Sequence, residues 1–497
     1  MGTANSVLDS DGRYGRFLQP LTAGAIAALG HAPVNWGIPA LLGLMWAFHL
    51  VGTSGNPKSA FRTGWLIGVG YFAVSLNWIV EPFLVELAAT GWMAPFALLF
   101  MSAGLALFWA VASWLTIRFG GSVWLWAGLM MLAELSRAYV LTGFPWAMPS
   151  YAWVNSIAAQ AGAWVGPHGL NFILFLTAAG VASLFKGRGS WISMGALSAL
   201  IALSFVSTPR LKMPEHGPVV RLVQPNAPQH EKWARDKIEV FFERQLSFTA
   251  APGNPDFVIW PETAIAVPIP YSDELFQEMA GIAGEAQIIT GIQRVDGLLN
   301  YNSLVVLGKT GAVEQVYDKH HLVPFGEFIP LGDLFSRYGL RGLAATDGAG
   351  YAHGPGPQII ALEGIGPVLP LICYEVVFPQ DLRTQARPRL LLQITNDAWF
   401  GDFSGPYQHL AQAQMRAIEY GLPMIRVANT GVSAVIDARG RIVASVPLGQ
   451  AGYIDTRVPT EMPKTLYAKL GDRPIGGAIL LITLLAGLLK RRKTIDA

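Results

Sequence analysis

Cysteine is almost missing from this sequence of 497 residues, and charged residues are scarce. The single cysteine, Cys373, excludes an intramolecular disulfide, and no group of cysteines and histidines has the spacing of a zinc site. Charged residues make up 14% of the chain, against about 25% in an ordinary soluble domain, whereas hydrophobic residues make up 52%. We therefore expect one part in a membrane and another part as a globular domain. The net charge of +2 gives no indication of nucleic-acid binding.

Long apolar runs fill the first 210 residues and return near the end of the chain. A membrane-spanning helix needs roughly 20 apolar residues. Seven runs approach or exceed that length: Phe17–Pro33, Gly37–Thr53, Phe61–Val80, Gly91–Ile117, Val123–Leu141, Gly169–Phe185 and Trp191–Ser207. An eighth run, Pro474–Leu489, precedes the basic sequence KRRK; its alternative is an amphipathic tail lying on the membrane. The sequence predicts an α-helical membrane bundle of eight spans, seven in residues 1–210 and the eighth in residues 470–497.

Positively charged residues lie in every second connection between these expected spans. They lie before span one, between spans two and three, four and five, and six and seven, and after span eight; the residues are Arg13, Arg16, Lys58, Arg62, Arg118, Lys186, Arg188 and Lys490–Lys493. Positive residues accumulate on the cytoplasmic side of spans. Both ends of the chain are therefore expected in the cytoplasm, and the segment between spans seven and eight on the other face. In a bacterium this describes a multi-pass protein of the cytoplasmic (inner) membrane with a periplasmic domain.

The pattern changes between about Val219 and Val458. Short apolar runs bounded by Gly, Pro and Asn predict buried strands: VVRLV, DFVIW, QIITGI, NSLVVL, PVLPLIC, LLLQIT, MIRVAN and SAVIDA. The segments DELFQEMAGIAGEA and YQHLAQAQMRAIEYG predict helices between them. This alternation is typical of a layered α/β domain, which we assign to residues 218–460.

Three reactive side chains lie at or near the ends of predicted strands. Glu262 ends DFVIWPE, Lys319 lies in VYDKHHLVPFGEFIP, and Cys373 ends GPVLPLIC. Open α/β sheets bind ligands beyond the carboxyl ends of their strands. There an acid can accept a thiol proton, the thiolate can attack a carbonyl, and an ammonium can face the oxyanion. Each residue also has an ordinary alternative: a turn for the acid, a solvated face for the lysine, and a small buried apolar side chain for the cysteine.

We expect no metal and no cofactor. His320 and His321 are neighbours in the sequence, and on a strand neighbouring side chains point to opposite faces of the sheet. The sequence therefore predicts that neither histidine is a metal ligand.

The motifs WPE, DKHHLVPFGE and CYE, in that order, resemble the nitrilase superfamily, whose members share a Glu-Lys-Cys triad. The stretches TGFPW at Thr142–Trp146 and TNDAWFGDFSGPYQH at Thr395–His409 are similar to the apolipoprotein N-acyltransferase family, as is the order of spans and domain. The resemblance covers nearly the whole chain. It implies an α-β-β-α sandwich and an enzyme with two lipid substrates. Such an enzyme moves an acyl chain from a membrane phospholipid, through a cysteine thioester, to the α-amino group of the diacylglyceryl-cysteine of an apolipoprotein.

The resemblance also implies roles for individual residues. Cys373 matches the nucleophile, Glu262 the base and Lys319 the oxyanion partner. Three supporting residues match positions beside this triad: Glu327, Tyr374 and Glu375. Trp233 matches a family tryptophan near the acyl chain. From their positions beside the proposed catalytic groups or in the matching NDAWFG loop, Trp260, Tyr374, Trp399 and Phe400 are expected to supply an apolar lining. The segment Phe328–Gly356 is expected to be either a mobile lid or a packed insertion.

Glu134 and Arg137 lie three residues apart near the outer end of the fifth expected span. Charged residues inside a membrane are costly, so they are usually paired or functional. Two interpretations remain open from the sequence: contact with a phospholipid head group, or an ion pair that holds the helix.

Two other classes of protein fit parts of the pattern. A membrane-anchored nitrilase-like amidase or other hydrolase would use the same triad but admit water. A non-catalytic membrane scaffold with a degenerate domain would not need the triad. The presence of all three triad residues therefore argues against a scaffold. An enzyme whose donor and acceptor are both lipids gives the best reason for so many spans, because neither substrate leaves the bilayer surface.

The charge pattern generates a topology prediction. A reporter that is active only outside the cytoplasm should work when fused after Leu211 and fail when fused after Lys493, because basic connections stay in the cytoplasm. Reporter activity in the two fusions provides the measurement. The reverse result would overturn the assigned orientation.

Overall fold

The computed structural model describes residues 15–184, 210–330 and 350–481, with isolated positions at 12, 194, 195, 198, 202, 483 and 484. The chain divides into two compact units, residues 1–209 with 469–497, and residues 210–468. Most of the seventh expected span, the basic tail at 490–493 and most of the expected lid, 331–349, lie outside the described residues.

Helices make up the described part of the first unit. The longer ones are α1 (Gly15–Ala28), α2 (Gly37–Gly52), α3 (Pro57–Ser75), α4 (Ala94–Arg118), α5 (Val123–Tyr139) and α6 (Gly162–Leu184). Two single-turn helices, Glu81–Leu84 and Leu87–Thr90, precede α4. Local sequence fixes where α3 begins: the Asn56 side chain accepts a hydrogen bond from the N–H of Ser59, and Pro57 occupies the first helical position.

Two helical segments in the described residues, Leu87–Arg118 and Ile157–Ser183, are long and apolar enough to cross a membrane. A third span results if Pro57–Ser75 and Asn77–Leu84, which are bent by 66°, count as one. The helix Gly37–Gly52 is apolar but shorter. The expectation of eight spans is therefore not confirmed by the described helices.

Small residues allow helices of this unit to pack closely. A Cβ atom on Gly70 of α3 would lie 2.1 Å from the carbonyl oxygen of Leu21 in α1. On the same helix, a Cβ on Gly68 would lie 2.7 Å from the Cβ of Ala106 in α4. Both approaches are closer than atoms tolerate, so glycine is required for this backbone contact, as is common between helices in membranes.

The second unit contains two six-stranded sheets, with orders β12-β1-β2-β3-β4-β5 and β11-β10-β9-β8-β7-β6. The strands are β1 (Val219–Gln224), β2 (Phe257–Ile259), β3 (Gln287–Asp296), β4 (Leu299–Leu307), β5 (Val313–Asp318), β6 (Ile360–Leu362), β7 (Gly366–Ile372), β8 (Leu390–Thr395), β9 (Met424–Ala428), β10 (Ser433–Ile436), β11 (Ile442–Val446) and β12 (Gly452–Arg457). The helices are α7 (Ile238–Thr249), α8 (Asp273–Ala283), α9 (Gly405–Tyr420) and the short α10 (Leu466–Leu470). All eight predicted strands and both predicted helices of this domain are confirmed.

The two sheets face each other, and helices cover them. Strands β1 and β4 of the first sheet pack against β9 and β7 of the second. Helices α7 and α8 pack against β1 and β3, while α9 packs against β9. The expected two-sheet α/β domain is thus confirmed.

Strand direction brings the three reactive residues to one edge of this unit. Strands β1, β2 and β3 are parallel to one another, as are β7, β8 and β9. Strand β4 pairs antiparallel with both β3 and β5, so β5 runs in the same direction as β3. Glu262 therefore follows the carboxyl end of β2, Lys319 that of β5, and Cys373 that of β7.

Arg221 of β1 joins this strand to β12 and to the end of helix α7. It is fully buried in β1, and its guanidinium donates two hydrogen bonds of 2.7 Å to Asp455 of β12. Its remaining donors reach backbone carbonyls at the end of α7, those of Phe248, Thr249, Ala251 and Pro252. Planar, bidentate pairing of this kind is specific to arginine.

Replacing this arginine tests how much the network stabilises the unit. Arg221→Met should lower the free energy of unfolding by about 3–5 kcal/mol, because it leaves a carboxylate and several carbonyls without their donor. Thermal unfolding of the full-length protein in detergent gives the measurement. The control is Lys212→Met, which breaks an exposed ion pair with Glu215 and should leave the transition unchanged. Equal effects of the two substitutions would contradict this account.

Candidate active site

Glu262 lies in the turn that follows β2, and hydrogen bonds hold both of its carboxylate oxygens. One oxygen accepts from the Asn302 side chain at 2.7 Å and lies 3.5 Å from the Lys319 ammonium. The other accepts from the backbone N–H of Asn396 at 2.7 Å. Asn396 follows β8, so the second sheet fixes the orientation of an acid that the first sheet supplies.

The ammonium of Lys319 is buried between two carboxylates. It donates to Glu327 at 2.8 Å and to Glu262 at 3.5 Å, and the residue is only 1% exposed. Burial lowers the pKa of Lys319, but the negative charges of Glu327 and Glu262 outweigh it and raise the pKa above its ordinary value. The backbone N–H of Val323 donates to Glu327 at 2.8 Å and so fixes the position of the Glu327 carboxylate. The lysine therefore stays charged although it is buried.

Cys373 follows β7 at the start of a single 3₁₀ turn, Cys373–Val377. Its φ is +50°, a left-handed conformation that costs a non-glycine residue free energy and persists only where the surroundings impose it. Burial raises the pKa of the thiol, Glu262 raises it further, and Lys319 lowers it in part. The thiol is thus neutral at rest, and it needs a base before it can attack.

Glu375 connects the loop after Lys319 to the backbone of the cysteine turn. Its carboxylate accepts from the N–H of Ile372 at 2.7 Å and from the N–H of His320 at 2.8 Å. The hydroxyl of Tyr317 donates to it at 3.0 Å. Glu375 is fully buried, so these bonds are not weakened by water. One side chain thereby sets the distance between the segments that carry the ammonium and the thiol.

A second buried network lies behind the cysteine. The carbonyl oxygen of Cys373 accepts from Gln393 Nε2 at 3.1 Å and lies 3.1 Å from His409 Nε2. His409 Nδ1 lies 2.9 Å from Asp397, which also binds Arg426. Burial and the charge of Arg426 lower the pKa of His409, while Arg426 and His409 overcome burial and lower the pKa of Asp397 to about 2.

Part of the proton arrangement follows from the hydrogen bonds. A carboxylate can only accept, so His409 carries a proton on Nδ1 and donates it to Asp397, while its Nε2 lies 3.2 Å from the Gln393 amide nitrogen and 3.1 Å from the Cys373 carbonyl oxygen. Arg426 in turn donates to Gln393 Oε1 at 2.6 Å, which fixes the orientation of that amide. The network holds the carbonyl of the strained cysteine in one place.

Two family models match the chain. The apolipoprotein N-acyltransferase N-terminal domain matches residues 23–180, and the carbon-nitrogen hydrolase family matches residues 218–465. An apolipoprotein N-acyltransferase of Caulobacter vibrioides is 38% identical, over 95% of this chain and 93% of its own length. Another, of Bradyrhizobium diazoefficiens, is 36% identical over 95% and 94%.

The chain belongs to the apolipoprotein N-acyltransferase family. Among solved structures, XC1258 of Xanthomonas campestris, a CN-hydrolase superfamily protein, is 24% identical and covers 53% of this chain and 97% of its own, with a TM-score of 0.35. The family assignment depends on the sequence matches and not on this likeness.

The aromatic residues expected near the substrates of this family have different surroundings. Tyr374 is buried against the rings of His321 and Phe378. Phe400 is buried with its ring edge-on to His409, 5.5 Å between centroids, and Trp399 is half-buried. The expected lining role of Trp260 is wrong: it is fully buried in the core of the first sheet, where its indole donates to Thr249 at 3.0 Å.

Trp233 lines a cavity of about 560 Å³ beside the turn that carries Glu262. The same cavity is lined by Phe241 and Phe242 of α7 and by Pro261 before the acid. Lys232 donates to the carbonyl oxygen of Glu262 at 3.2 Å, and burial lowers the pKa of this lysine to about 8. Trp233 thus lies near the backbone of Glu262, on an open cavity, with 41% of its surface exposed.

In the first unit, Glu134 and Arg137 bind each other. Their closest contact is 2.5 Å, and both side chains are buried. The indole of Trp109 donates to Glu134 at 2.8 Å, while Arg137 donates to the carbonyls of Phe144 and Trp146. These carbonyls belong to the motif TGFPW. The structure favours the ion-pair interpretation over the head-group contact, because the pair holds this loop.

The prediction that neither histidine is a metal ligand assumed that both lie on a strand, and this assumption is wrong. Strand β5 ends at Asp318, so His320 and His321 lie in a turn and not on a strand. Both rings face the same carboxylate: Asp381 lies 2.8 Å from His321 Nδ1 and 3.4 Å from His320 Nε2. Burial lowers the pKa of His320, but Asp381 and Glu375 outweigh it and raise the pKa to about 9.

Several residues of the site were not identified from the sequence. They are Asn302, Tyr317, Gln393, Asn396, Asp397, His409 and Arg426. Three of them, Asn396, Asp397 and His409, lie within the motif TNDAWFGDFSGPYQH, so the resemblance of this motif to the family is the signal that points to them.

Gly291 of β3 permits the turn that carries Glu262. A Cβ atom there would lie 2.5 Å from the N of Thr263 and 2.6 Å from the Cα of Glu262, so Gly291→Ala must displace that turn. A shift near 1 Å can cost on the order of 100-fold in rate. We expect a loss of that size in acyl transfer by a folded protein.

The matched control is Gly281→Ala on α8, where a Cβ meets nothing within 4 Å. Alanine favours a helix, so this variant should keep its rate and gain slightly in stability. Acyl-transfer rates and thermal unfolding of both variants provide the measurement. Full activity in Gly291→Ala would show that the turn tolerates displacement.

Proposed function

We propose that this protein is an apolipoprotein N-acyltransferase that takes an acyl chain from a membrane phospholipid and passes it, through a thioester on Cys373, to the α-amino group of a diacylglyceryl-cysteine. One observation carries the proposal. The single thiol of the sequence is held by its surroundings in a strained conformation, where the charges of Glu262 and Lys319 act on it, in a member of this family.

The first half-reaction forms the acyl-enzyme. Glu262 accepts the proton of the Cys373 thiol as the sulfur attacks the ester carbonyl of the phospholipid. The carbonyl oxygen becomes an oxyanion, and the charged Lys319 stabilises it. When the C–O bond breaks, the departing alcohol oxygen takes the proton from Glu262 and leaves as the lysophospholipid.

The second half-reaction transfers the acyl chain. The α-amine of the acceptor attacks the thioester carbonyl, and Glu262 accepts the amine proton. The C–S bond then breaks, an amide is left on the acceptor, and Cys373 recovers its proton. Because the pKa of the Cys373 thiol is raised, Glu262 must take part in both half-reactions. Two donors hold the acid in place for this: the Asn302 side chain of β4 and the backbone N–H of Asn396 after β8.

The supporting residues take positioning roles in this mechanism. Glu327 keeps Lys319 charged and in place. Glu375 fixes the spacing between the loop after Lys319 and the cysteine turn, while Tyr374 packs beside it. Trp233, Trp399 and Phe400 are proposed to contact the acyl chains.

We further propose a multi-pass arrangement in the bacterial cytoplasmic membrane, with the domain of residues 218–460 in the periplasm. Eight spans are proposed, seven within residues 1–210 and one in residues 470–497. The apolar helices Leu87–Arg118 and Ile157–Ser183 support membrane insertion. The alternation of basic connections supports the orientation.

The decisive experiment separates a transferase from a membrane-anchored hydrolase. Full-length protein in detergent is incubated with phospholipid alone, and its intact mass is measured. We expect a gain of one acyl group on Cys373, because the thioester must outlive release of the lysophospholipid. A diacylglyceryl lipopeptide should then remove the added mass and become N-acylated, with parallel lines in double-reciprocal plots of the two substrates.

Two substitutions control this experiment. Cys373→Ala should gain no mass and transfer nothing while unfolding at the wild-type temperature. Cys373→Ser should also be nearly inactive, because a carboxylate removes a proton from an alcohol far less readily than from a thiol. Release of free fatty acid at the full turnover rate without lipopeptide would identify a hydrolase, and the transferase assignment would fail.

A further inference from the structure

Two turns of the catalytic unit place three metal-binding side chains together. His320 and His321 follow β5, and Asp381 lies in the 3₁₀ turn Pro379–Leu382, which comes shortly after Cys373. One ligand atom from each residue lies within 4.8 Å of the other two. We propose that His320, His321 and Asp381 form a binding site for a divalent transition-metal ion, with Zn²⁺ as the ion that fits best. The proposal does not depend on the acyl-transfer mechanism.

The hydrogen bonds of His320 favour a metal ligand on its second nitrogen. Its Nδ1 lies 2.6 Å from the carboxylate of Glu375, which can only accept, so Nδ1 carries a proton. In the neutral imidazole, Nε2 is then an acceptor that faces the Asp381 carboxylate at 3.4 Å. Nε2 is buried, and among the described residues it has no hydrogen-bond partner. When His320 is neutral, two acceptors therefore face each other, and a metal ion between them would bind both.

The surroundings match those of known histidine ligands. A histidine that binds a metal usually donates its other ring N–H to a carboxylate, which fixes the tautomer and makes the nitrogen more basic. Glu375 takes this part, and Tyr317, which also donates to Glu375, holds the carboxylate in place. Two imidazole nitrogens and one carboxylate are a ligand set typical of zinc with a remaining open position.

The distances between the ligand atoms fit a bound zinc ion, and the three side chains are exposed enough for an ion to enter. Ligand atoms in a tetrahedral zinc site are ~3.4 Å apart, because each lies about 2.0–2.2 Å from the metal. The His320–Asp381 separation is 3.4 Å, and the His321–Asp381 separation is 2.8 Å, so the carboxylate would move by roughly half an ångström. The side chains of His320, His321 and Asp381 are 12%, 23% and 19% exposed, which leaves a path from solvent.

A proton is the competing cation. His320 as an imidazolium between Glu375 and Asp381 would satisfy the same carboxylates without a metal. The two possibilities differ in what the purified protein takes up. A bound ion would join the turn after Lys319 to the turn after Cys373, so it would also raise the unfolding temperature.

The test uses tag-free, full-length protein in detergent, treated with a chelator and then titrated with Zn²⁺ by calorimetry. We expect one equivalent to bind. Co²⁺ in place of Zn²⁺ should give the visible d–d absorption of a four-coordinate site with nitrogen and oxygen ligands. Asp381→Asn and His320→Gln should each weaken Zn²⁺ binding by about 100-fold or more and abolish the rise in unfolding temperature.

The matched control is His230→Gln, which removes an exposed histidine outside the cluster and should bind Zn²⁺ as the wild type does. Unfolding temperatures in chelator show whether each variant is folded, and two ligand variants guard against the failure of one. The proposal is overturned if the wild type binds no Zn²⁺, or if Asp381→Asn and His320→Gln both bind it as tightly as the wild type.

Discussion

The buried ammonium of Lys319 is the charge around which the catalytic unit is arranged. Burial alone would favour the neutral amine, because a charged group loses its hydration. Glu262 and Glu327 prevent this, and Asn302 donates to both carboxylates, at 2.7 and 3.2 Å. The site therefore contains two negative charges and one positive charge before any substrate enters. The Cys373 thiol remains protonated in this surplus of negative charge, so the nucleophile arises only by proton transfer to a base already in place.

The strained backbone of Cys373 is the second constraint, and it depends on contacts from both sides. Glu375 binds the N–H of the residue before the cysteine, while Gln393 binds the carbonyl of the cysteine itself. A left-handed residue costs of order 1–3 kcal/mol, which the surrounding hydrogen bonds must offset. The same Glu375 carboxylate also orients His320, so the proposed metal site and the cysteine turn share one support.

The sequence predicted the buried strands well and the exposed ones poorly. Strands β7, β8 and β9 are buried on both faces, so their apolar runs are visible without any knowledge of the fold. Strand β5, VEQVYD, is mostly exposed at the sheet edge, and its pattern resembles a loop. Pairing with β4 makes it a strand, and pairing is a property of the tertiary structure. In the first unit, spacing alone brought Glu134 and Arg137 to one helix face, but only packing showed that they hold the loop at Phe144.

By itself, the sequence determined the order of the apolar runs, the α/β alternation and the identity of the three reactive side chains, since each follows from local composition or from a motif. It did not determine which groups hold Glu262: Asn302 reaches it from β4 of the same sheet, whereas Asn396, which follows β8, meets it only when the two sheets pack. The convergence of His320 and His321 on one carboxylate was likewise decided by the fold. Strand β5 ends one residue before Lys319, and a turn, unlike a strand, lets neighbouring side chains face the same way.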